Sequence, residues 1–145
     1  MLLVKSTLGM LEETAQYLAN GDRAELNKNI AGRDPLMVLT ASLGPTSMSI
    51  IHNGRVIASG GSRDCLWFVT TRWVEELTPR ERMELLGLLK GHLESCRATM
   101  LKEHLSNFVW VGNELHIKLL THLGATFAET TVESPAGFPF RQFWL

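Results

Sequence analysis

The sequence predicts a mixed α/β (α+β) domain with a mostly antiparallel sheet, flanking helices and one parallel strand pair at its centre. Three features predict this class. A hairpin with period-two patterning is followed by a β-forming run, and a long amphipathic helix comes next. A second strand, a second helix and further strands follow that helix, and such a crossover places two strands side by side in parallel. At 145 residues, the chain is long enough to bury its own core as one domain, residues 1–145.

The composition is that of an ordinary globular protein. Hydrophobic residues make up 45% of the chain, charged residues 20%, and the formal net charge is −1. This balance argues against disorder and gives no overall attraction to nucleic acid or to an anionic membrane, so we expect neither as a partner. No signal segment or membrane-spanning run is expected. Cys65 and Cys96 lie in apolar patterns and are expected to be reduced core thiols.

The first third of the chain predicts a strand and three short helices. Residues 2–4 suit a strand, and Ser6 or Thr7 can cap a helix that ends at residues 20–21, an Asn-Gly pair. A second helical segment is expected at roughly residues 23–30. A third begins around Pro35 and runs through residue 39, because proline is favoured in the first helical turn.

The middle of the chain predicts a hairpin and a strand. Asn53-Gly54 favours a tight turn, because both residues tolerate positive φ, and the Gly60-Gly61 pair is expected to end the hairpin. The run from Cys65 to Thr70 is rich in β-forming residues, as in a strand buried on both faces.

The next element is a long helix with a well-defined start. Thr78 and Glu81 form a capping box around Pro79, and apolar residues then recur at steps of three and four. Charges of alternating sign on this helix indicate a solvated face. The apolar positions that we expect to face the core are Met83, Leu86, Leu89, Leu93, Cys96 and Met100.

The last third predicts a strand around Phe108, a helix capped by Asn113 and ended by Gly124, and two strands near residues 126–132 and 138–144. Four aromatic residues crowd the final strand. They either complete the sheet core or leave an apolar edge that pairs with a partner or with a second copy of the chain, so a homo-oligomer remains open.

This order of elements resembles the GNAT acyltransferase fold. Asn113 and Gly124 occupy the motif positions of the GNAT helix, whereas His116 replaces a small residue and Leu120 replaces an aromatic one, usually a tyrosine. Within residues 60–127, the chain also resembles a family of small GNAT-like proteins from short-tailed bacteriophages, described as internal virion or virion-morphogenesis proteins. The segments that carry this second resemblance are Gly60-Gly61, Asp64 to Thr70, Val109 to Asn113, His116-Ile117, Leu119 and Gly124-Ala125.

The phage resemblance implies a viral protein made in the host bacterial cytoplasm and associated with assembling virions. Its implied partners are phage structural or host proteins. The GNAT resemblance implies an acetyl-CoA site in a gap between two splayed central strands, where pantetheine adds as an extra strand. Two fully paired strands are the alternative. The residues that would contact the cofactor are Phe68, Val69, Thr70, Thr71, Arg72, Arg80 and Asn113.

The loop that would hold the cofactor phosphates departs from the GNAT pattern. Residues 71–80 contain no glycine, Pro79 lacks an amide proton, and carboxylates lie close by at Glu75, Glu76 and Glu81. Helix starts favour anions, but these carboxylates oppose one, with only Arg72 and Arg80 to compensate. The sequence therefore predicts weak or absent CoA binding.

Proton-transfer chemistry depends on His116, because the only tyrosine, Tyr17, lies in the first helix. An imidazole near neutral pH suits proton transfer, whereas the alternative is that His116 caps or packs locally at its helix start. Cys65 has no neighbouring histidine and is not expected to be a nucleophile. The spacing of the histidines predicts no metal site.

Three functional hypotheses follow. The first is a phage GNAT-fold protein of virion morphogenesis with a degenerate acyl-CoA site. The alternative is an active acetyl-CoA-dependent N-acetyltransferase that modifies an amine on a phage or host protein. The third is an inhibitor of a host pathway.

Overall fold

The computed structural model describes all residues, 1–145. The strands are β1 Leu2–Lys5, β2 Met48–His52, β3 Arg55–Ser62, β4 Leu66–Thr70, β5 Ser106–Trp110, β6 Thr126–Phe127, β7 Val132–Glu133 and β8 Pro139–Trp144. The helices are α1 Leu8–Gln16, α2 Asn20–Asn29, α3 Pro35–Ala41, α4 Pro79–Thr99 and α5 Glu114–His122, with 3-10 turns at Arg72–Glu76 and Lys102–His104. The predicted mixed α/β class is confirmed. None of these helices combines the length and apolar character needed to cross a bilayer.

The strands form two four-stranded sheets rather than one. The first has the order β1-β2-β3-β4; in the second, β8 pairs with β5, β6 and β7. Every hydrogen-bonded strand pair is antiparallel. The predicted central parallel pair corresponds to β4 and β5, which lie side by side without a backbone ladder, so the splayed alternative holds and the fully paired one is wrong.

The beginnings and the ends of β4 and β5 define their relative direction. At the beginnings, Asn107 Nδ2 of β5 donates a hydrogen bond of 2.5 Å to the Leu66 carbonyl of β4. At the ends, the amides of Thr70 and Trp110 both donate to carboxylates of helix α2. The two strands therefore run in the same direction, and side chains rather than backbone groups connect them.

The α1–α2 boundary differs from the prediction. The Asn-Gly pair at residues 20–21 does not end the first helix but forms the first turn of α2, while α1 ends at Gln16 with Tyr17 as its C-cap. The reason is close packing: a Cβ on Gly21 would lie 2.6 Å from Asn113 Oδ1. Glycine is thus used here for approach between elements and not for a helix stop.

The hairpin turn is confirmed, with positive φ at Asn53 (49°) and Gly54 (73°). Its end is not where the sequence indicated, because Gly60 and Gly61 lie inside β3. A Cβ on Gly60 would lie 2.7 Å from the Trp67 carbonyl oxygen, so β3 needs glycine there to lie against β4.

Helix α4 begins with the predicted capping box at Thr78. Of the positions predicted to face the core, Leu93 and Cys96 are buried, whereas Met83 is 67% exposed and Leu85, which was not among them, is buried. Cys96 is a core thiol as predicted, whereas Cys65 is exposed just before β4, so that expectation is wrong. The β4 side chains are only half-buried, because the strand has no paired neighbour on its β5 side.

The core has three parts. On the α4 side of the first sheet, Ile57 and Leu85 belong to one buried cluster. On its other face, α1 and α3 contribute Leu11 and Leu39. In the second sheet, Leu120 of α5 packs with β5 and β8.

The C-terminal aromatic residues complete the second sheet. Strand β8 is an interior strand, and Phe140 and Phe143 are buried, while Trp144 remains 37% exposed. The predicted strand at residues 126–132 is instead the two short strands β6 and β7, both paired with β8. The core-completion alternative is therefore correct.

Candidate functional site

A largely apolar cavity of about 430 Å³ lies at the gap between β4 and β5. Phe68 from β4, Leu93 from α4 and Leu120 from α5 line it, together with the polar side chains of Glu25 and His116. The cavity exists because β4 and β5 do not pair and the apolar side chains around them do not fill the space between. It is large enough for a small ligand.

A buried polar cluster lies where the cavity meets the ends of β4 and β5. It contains Asp22 and Glu25 from α2 and Asn113 and His116 from the start of α5, which we call the α2–α5 cluster. Asp22 and Glu25 lie three residues apart and so share one face of α2. Asn113 caps α5 by accepting a hydrogen bond from the His116 amide.

The two carboxylates connect the unpaired strands. Asp22 Oδ2 accepts hydrogen bonds from the amide and hydroxyl of Thr70, at 2.7 and 2.9 Å. Glu25 Oε1 accepts one from the Trp110 amide at 2.8 Å, and Asn113 Nδ2 donates to Asp22 Oδ1 at 3.1 Å. Each carboxylate thus satisfies a strand amide that the missing ladder would otherwise leave unpaired.

The His116 ring faces these two carboxylates. Its Nδ1 lies 3.6 Å from Asp22 Oδ1 and 3.7 Å from Glu25 Oε2, and only 10% of the side chain is exposed. These distances exceed an ordinary hydrogen bond, and the buried Nδ1 has no hydrogen-bond partner. The His116 side chain therefore does not pack locally, as one alternative held, but against a helix distant in sequence.

Burial and charge act in opposite directions on the pKa of His116. Burial alone lowers the pKa, because the protonated ring loses its hydration. The contact with Glu25 and the negative charges of Asp22 and Glu25 outweigh burial, so the pKa is raised above its ordinary value.

The edge of β4 that faces the gap is covered at its C-terminal end by the α1–α2 connection. The Ala19 amide donates to the Thr70 carbonyl at 2.9 Å, and the Arg72 amide donates to the Tyr17 carbonyl at 2.8 Å. Between these bonds, Leu18 and Thr71 form an antiparallel bridge. Residues 17–19 therefore lie along β4 as a short extra strand.

A carboxylate lies directly after the segment at residues 71–80, at Glu81. The Glu81 carboxylate accepts hydrogen bonds from the amide and hydroxyl of Thr78, and His52 Nε2 lies 2.7 Å from it. The Thr78 backbone bond, the Thr78 hydroxyl bond and the His52 contact lower the pKa of Glu81 to about 2. Glu81 therefore stays ionised at the start of α4.

The structure brings together only part of the site predicted from the sequence. His116, Phe68, Thr70 and Asn113 surround the gap. Val69 also lines the cavity and packs against the α1–α3 core. The other three residues direct their side chains elsewhere: the Thr71 hydroxyl bonds the Val56 carbonyl, Arg72 is exposed over the Tyr17 and Trp73 rings, and Arg80 is exposed.

Sequence reasoning missed Asp22 and Glu25. The only available signal was their three-residue spacing within a helical segment, which places two acids on one face. In the structure Asp22 is only 6% exposed. The sequence cannot show that this face is buried, because it is the fold that places it against β4, β5 and α5.

A protein-family model matches part of this chain. Residues 46–131 match the family described as "Bacteriophage T7, probable scaffold protein Gp13". The probable scaffold protein gp13 of Escherichia phage T7 is 37% identical over 79 residues, which cover 52% of this chain and 54% of that protein. The match thus spans about half the length of that relative.

Solved structures resemble the fold over nearly the whole chain. A polyamine N-acetyltransferase from Drosophila melanogaster aligns with a TM-score of 0.64 at 14% identity, covering 99% of this chain and 98% of that chain. A GNAT-family acetyltransferase from Bacillus anthracis aligns with a TM-score of 0.61 at 9% identity, covering 99% and 92%. At such low identity the likeness concerns the fold alone, and it confirms the GNAT-like architecture.

Proposed function

We propose that this chain, which belongs to the family of the T7 probable scaffold protein Gp13, acts in virion morphogenesis by binding other proteins of the assembling particle. In this proposal the GNAT scaffold is retained for its shape, and its acyl-CoA groove is degenerate. The partners are phage structural or host proteins, and the protein works in the host cytoplasm on forming virions.

The pairing of residues 17–19 with the edge of β4 carries the proposal about the groove. In the GNAT scaffold, pantetheine adds as an extra strand through its amides. Here the Thr70 carbonyl and the Arg72 amide already bond to the chain, and the Thr70 amide bonds to Asp22. Pantetheine would have to displace three hydrogen bonds and a buried carboxylate to reach that end of β4.

The phosphate end of the groove supports the same proposal. The ionised Glu81 carboxylate is held at the start of α4, where a pyrophosphate would seek amides and the positive end of the helix dipole. Arg72 is exposed and stacked on aromatic rings, and Arg80 is exposed on the first turn of α4. Like charge at this position weakens the binding of a diphosphate.

The acid–base residues of a GNAT enzyme are also displaced. Leu120, at the position where the motif has an aromatic residue, is a core side chain with 3% exposure. Tyr17 caps α1 and stacks on Trp73. No phenol therefore lies beside the cavity to protonate a leaving thiolate.

One observation favours the second candidate, an active acetyl-CoA-dependent N-acetyltransferase. The cavity of about 430 Å³ lies in the β4–β5 gap, and a histidine lines it. In that function His116 would transfer a proton, and the acceptor would be an amine on a phage or host protein.

Melting with acetyl-CoA distinguishes the two candidates. An enzyme with a dissociation constant near 10 μM would gain about 2.7 kcal/mol at 1 mM ligand. For a chain of this size, such a gain raises the melting temperature by roughly 5–10 °C. We expect no shift with acetyl-CoA, measured against ATP, which carries phosphates but no pantetheine, as the control ligand. A saturable rise with acetyl-CoA that ATP does not reproduce would overturn the degenerate groove.

A deletion phage tests the assembly role in a separate experiment. We expect particles from the deletion phage to be defective in yield or composition, and full rescue by wild type and by an Arg72→Ala/Arg80→Ala variant. Both arginines are exposed, so the variant should fold. Normal particles from the deletion phage would exclude the assembly role and favour a host-directed inhibitor, whereas failure of the arginine variant alone would favour the enzyme.

A further inference from the structure

We propose that Asp22, Glu25 and His116 bind a divalent transition-metal ion, with Zn²⁺ as the best fit, between α2 and α5. One potential ligand atom from each residue lies within 4.8 Å of the other two. One imidazole nitrogen and two carboxylate oxygens are a donor set that suits zinc. Such a site leaves one coordination position open for water or another ligand.

The spacing of the three side chains suits a metal better than a direct contact. His116 Nδ1 lies 3.6 Å from Asp22 Oδ1 and 3.7 Å from Glu25 Oε2, which is too far for a good hydrogen bond. An ion with bonds of about 2.1 Å in tetrahedral geometry places its ligands roughly 3.4 Å apart. The two distances from His116 Nδ1 are therefore close to the spacing between two ligands of one ion.

The unpartnered nitrogen of His116 is independent support. Its Nδ1 is fully buried, aims at the carboxylates and has no hydrogen-bond partner. Buried polar atoms without partners are uncommon in folded proteins, and a bound ion is one of the recognised reasons for them. A bound metal would satisfy this atom directly.

The charges of the cluster point to the same ligand. Asp22 and Glu25 bring two negative charges into a buried site, and no lysine or arginine forms an ion pair with them. The nearby cations of α2 are directed elsewhere, since Arg23 bonds the Ala15 carbonyl and Lys28 lies over the Phe138 ring. A protonated His116 would leave a net charge of −1, whereas a divalent ion with neutral His116 balances the charge.

The carboxylate oxygens that do not face His116 accept hydrogen bonds from neighbouring strands, as is usual for carboxylates that bind a metal. Thr70 donates two hydrogen bonds to Asp22 Oδ2, and the Trp110 amide donates to Glu25 Oε1. Outer-shell donors of this kind fix the orientation of metal-binding carboxylates. They leave Glu25 Oε2 free and Asp22 Oδ1 shared only with Asn113, and both of these atoms face His116.

Zinc titration of the tag-free, chelator-treated protein tests the site. We expect one Zn²⁺ per chain by calorimetry and a higher melting temperature with Zn²⁺ than with Mg²⁺. Glu25→Gln keeps an acceptor for the Trp110 amide but loses the ligand charge, and it should weaken zinc binding at least tenfold. Glu114→Gln, an exposed acid on the same helix as His116, is the matched control and should bind normally.

Two spectroscopic measurements keep the test decisive even if Glu25→Gln folds poorly. In the wild type, Zn²⁺ should shift the side-chain nitrogen resonances of His116, and Co²⁺ should bind without thiolate-to-metal absorption. Absence of stoichiometric binding would overturn the proposal and leave a metal-free charge cluster. Thiolate absorption would also overturn it, by placing the ion at Cys65 or at the Cys96–His92 contact.

Discussion

Gly21 decides how closely helix α2 approaches the start of α5. A Cβ at this position would meet Asn113 Oδ1 at 2.6 Å. Asn113 is buried and cannot simply move away, because its side chain caps α5 and also bonds Asp22. The lack of a side chain at Gly21 therefore makes room for the close packing of the α2–α5 cluster.

Gly21→Ala should destabilise the protein by about 1–2 kcal/mol, the usual cost of losing a helix cap or a buried hydrogen bond. At a helix position with free space around it, the same Gly→Ala change should stabilise the protein, since alanine is more favourable than glycine in a helix by up to about 1 kcal/mol. Gly87→Ala in α4, where a Cβ meets nothing within 4 Å, is the matched control and should be neutral or stabilising. Urea unfolding of both variants checks the pair, and equal stability changes would contradict the close-packing argument.

At the scale of elements, the ionised carboxylate of Glu81 stabilises the start of helix α4. The pKa of Glu81 is lowered to about 2 by its bonds with Thr78 and its contact with His52. Because the pKa of Glu81 is lower in the folded state than in the unfolded state, its ionised carboxylate stabilises the fold. This contribution to folding stability is fully present above about pH 4.5 and is lost as the pH falls towards 2.

Glu81→Gln removes that ionisation but keeps an amide that can bond the Thr78 backbone. We expect wild type to lose stability relative to this variant as the pH falls from 5 to 2, and the two to converge at the acid end. Glu94→Gln, an exposed acid on the same helix, should show no such convergence. Chemical unfolding across this pH range measures the difference, and a constant gap between wild type and Glu81→Gln would be the contrary result.

Elements whose signals are local could be predicted from the sequence, and elements shaped by distant contacts could not. The α4 capping box lies within four residues, and the hairpin turn needs only Asn53 and Gly54, so both were predicted correctly. The sequence pattern predicts that elements end at Gly21 and Gly60, and both predictions are wrong because the atoms that require glycine there belong to Asn113 and Trp67. Glycine alone does not distinguish a chain reversal from close packing.

At the scale of the whole molecule, the two sheets form one structure through α2 and the α1–α2 connection rather than through a shared ladder. The resemblance to GNAT proteins predicted the gap between β4 and β5, but not what occupies its edge. Residues 17–19, Asp22 and Glu25 come from the first third of the chain, where the sequence pattern is weakest. Their role depends on contacts with strands that follow much later in the chain. The hydrophobic pattern of the sequence does not indicate such long-range contacts.

The same arrangement predicts how the groove behaves in solution. If residues 17–19 are a permanent strand, the Arg72 amide, bonded to Tyr17, should exchange with solvent about as slowly as the Thr71 amide, bonded to Ile57 within the first sheet. The two amides are adjacent in sequence, so each is the control for the other. If residues 17–19 opened as a flap, only the Arg72 amide would be exposed to solvent. Exchange more than 100-fold faster at Arg72 than at Thr71 would mean that this segment opens at a free-energy cost about 3 kcal/mol below that of global unfolding. Hydrogen exchange followed by NMR should show similar protection at both amides, because backbone bonded to the C-terminal end of β4 is released only when the first sheet itself unfolds.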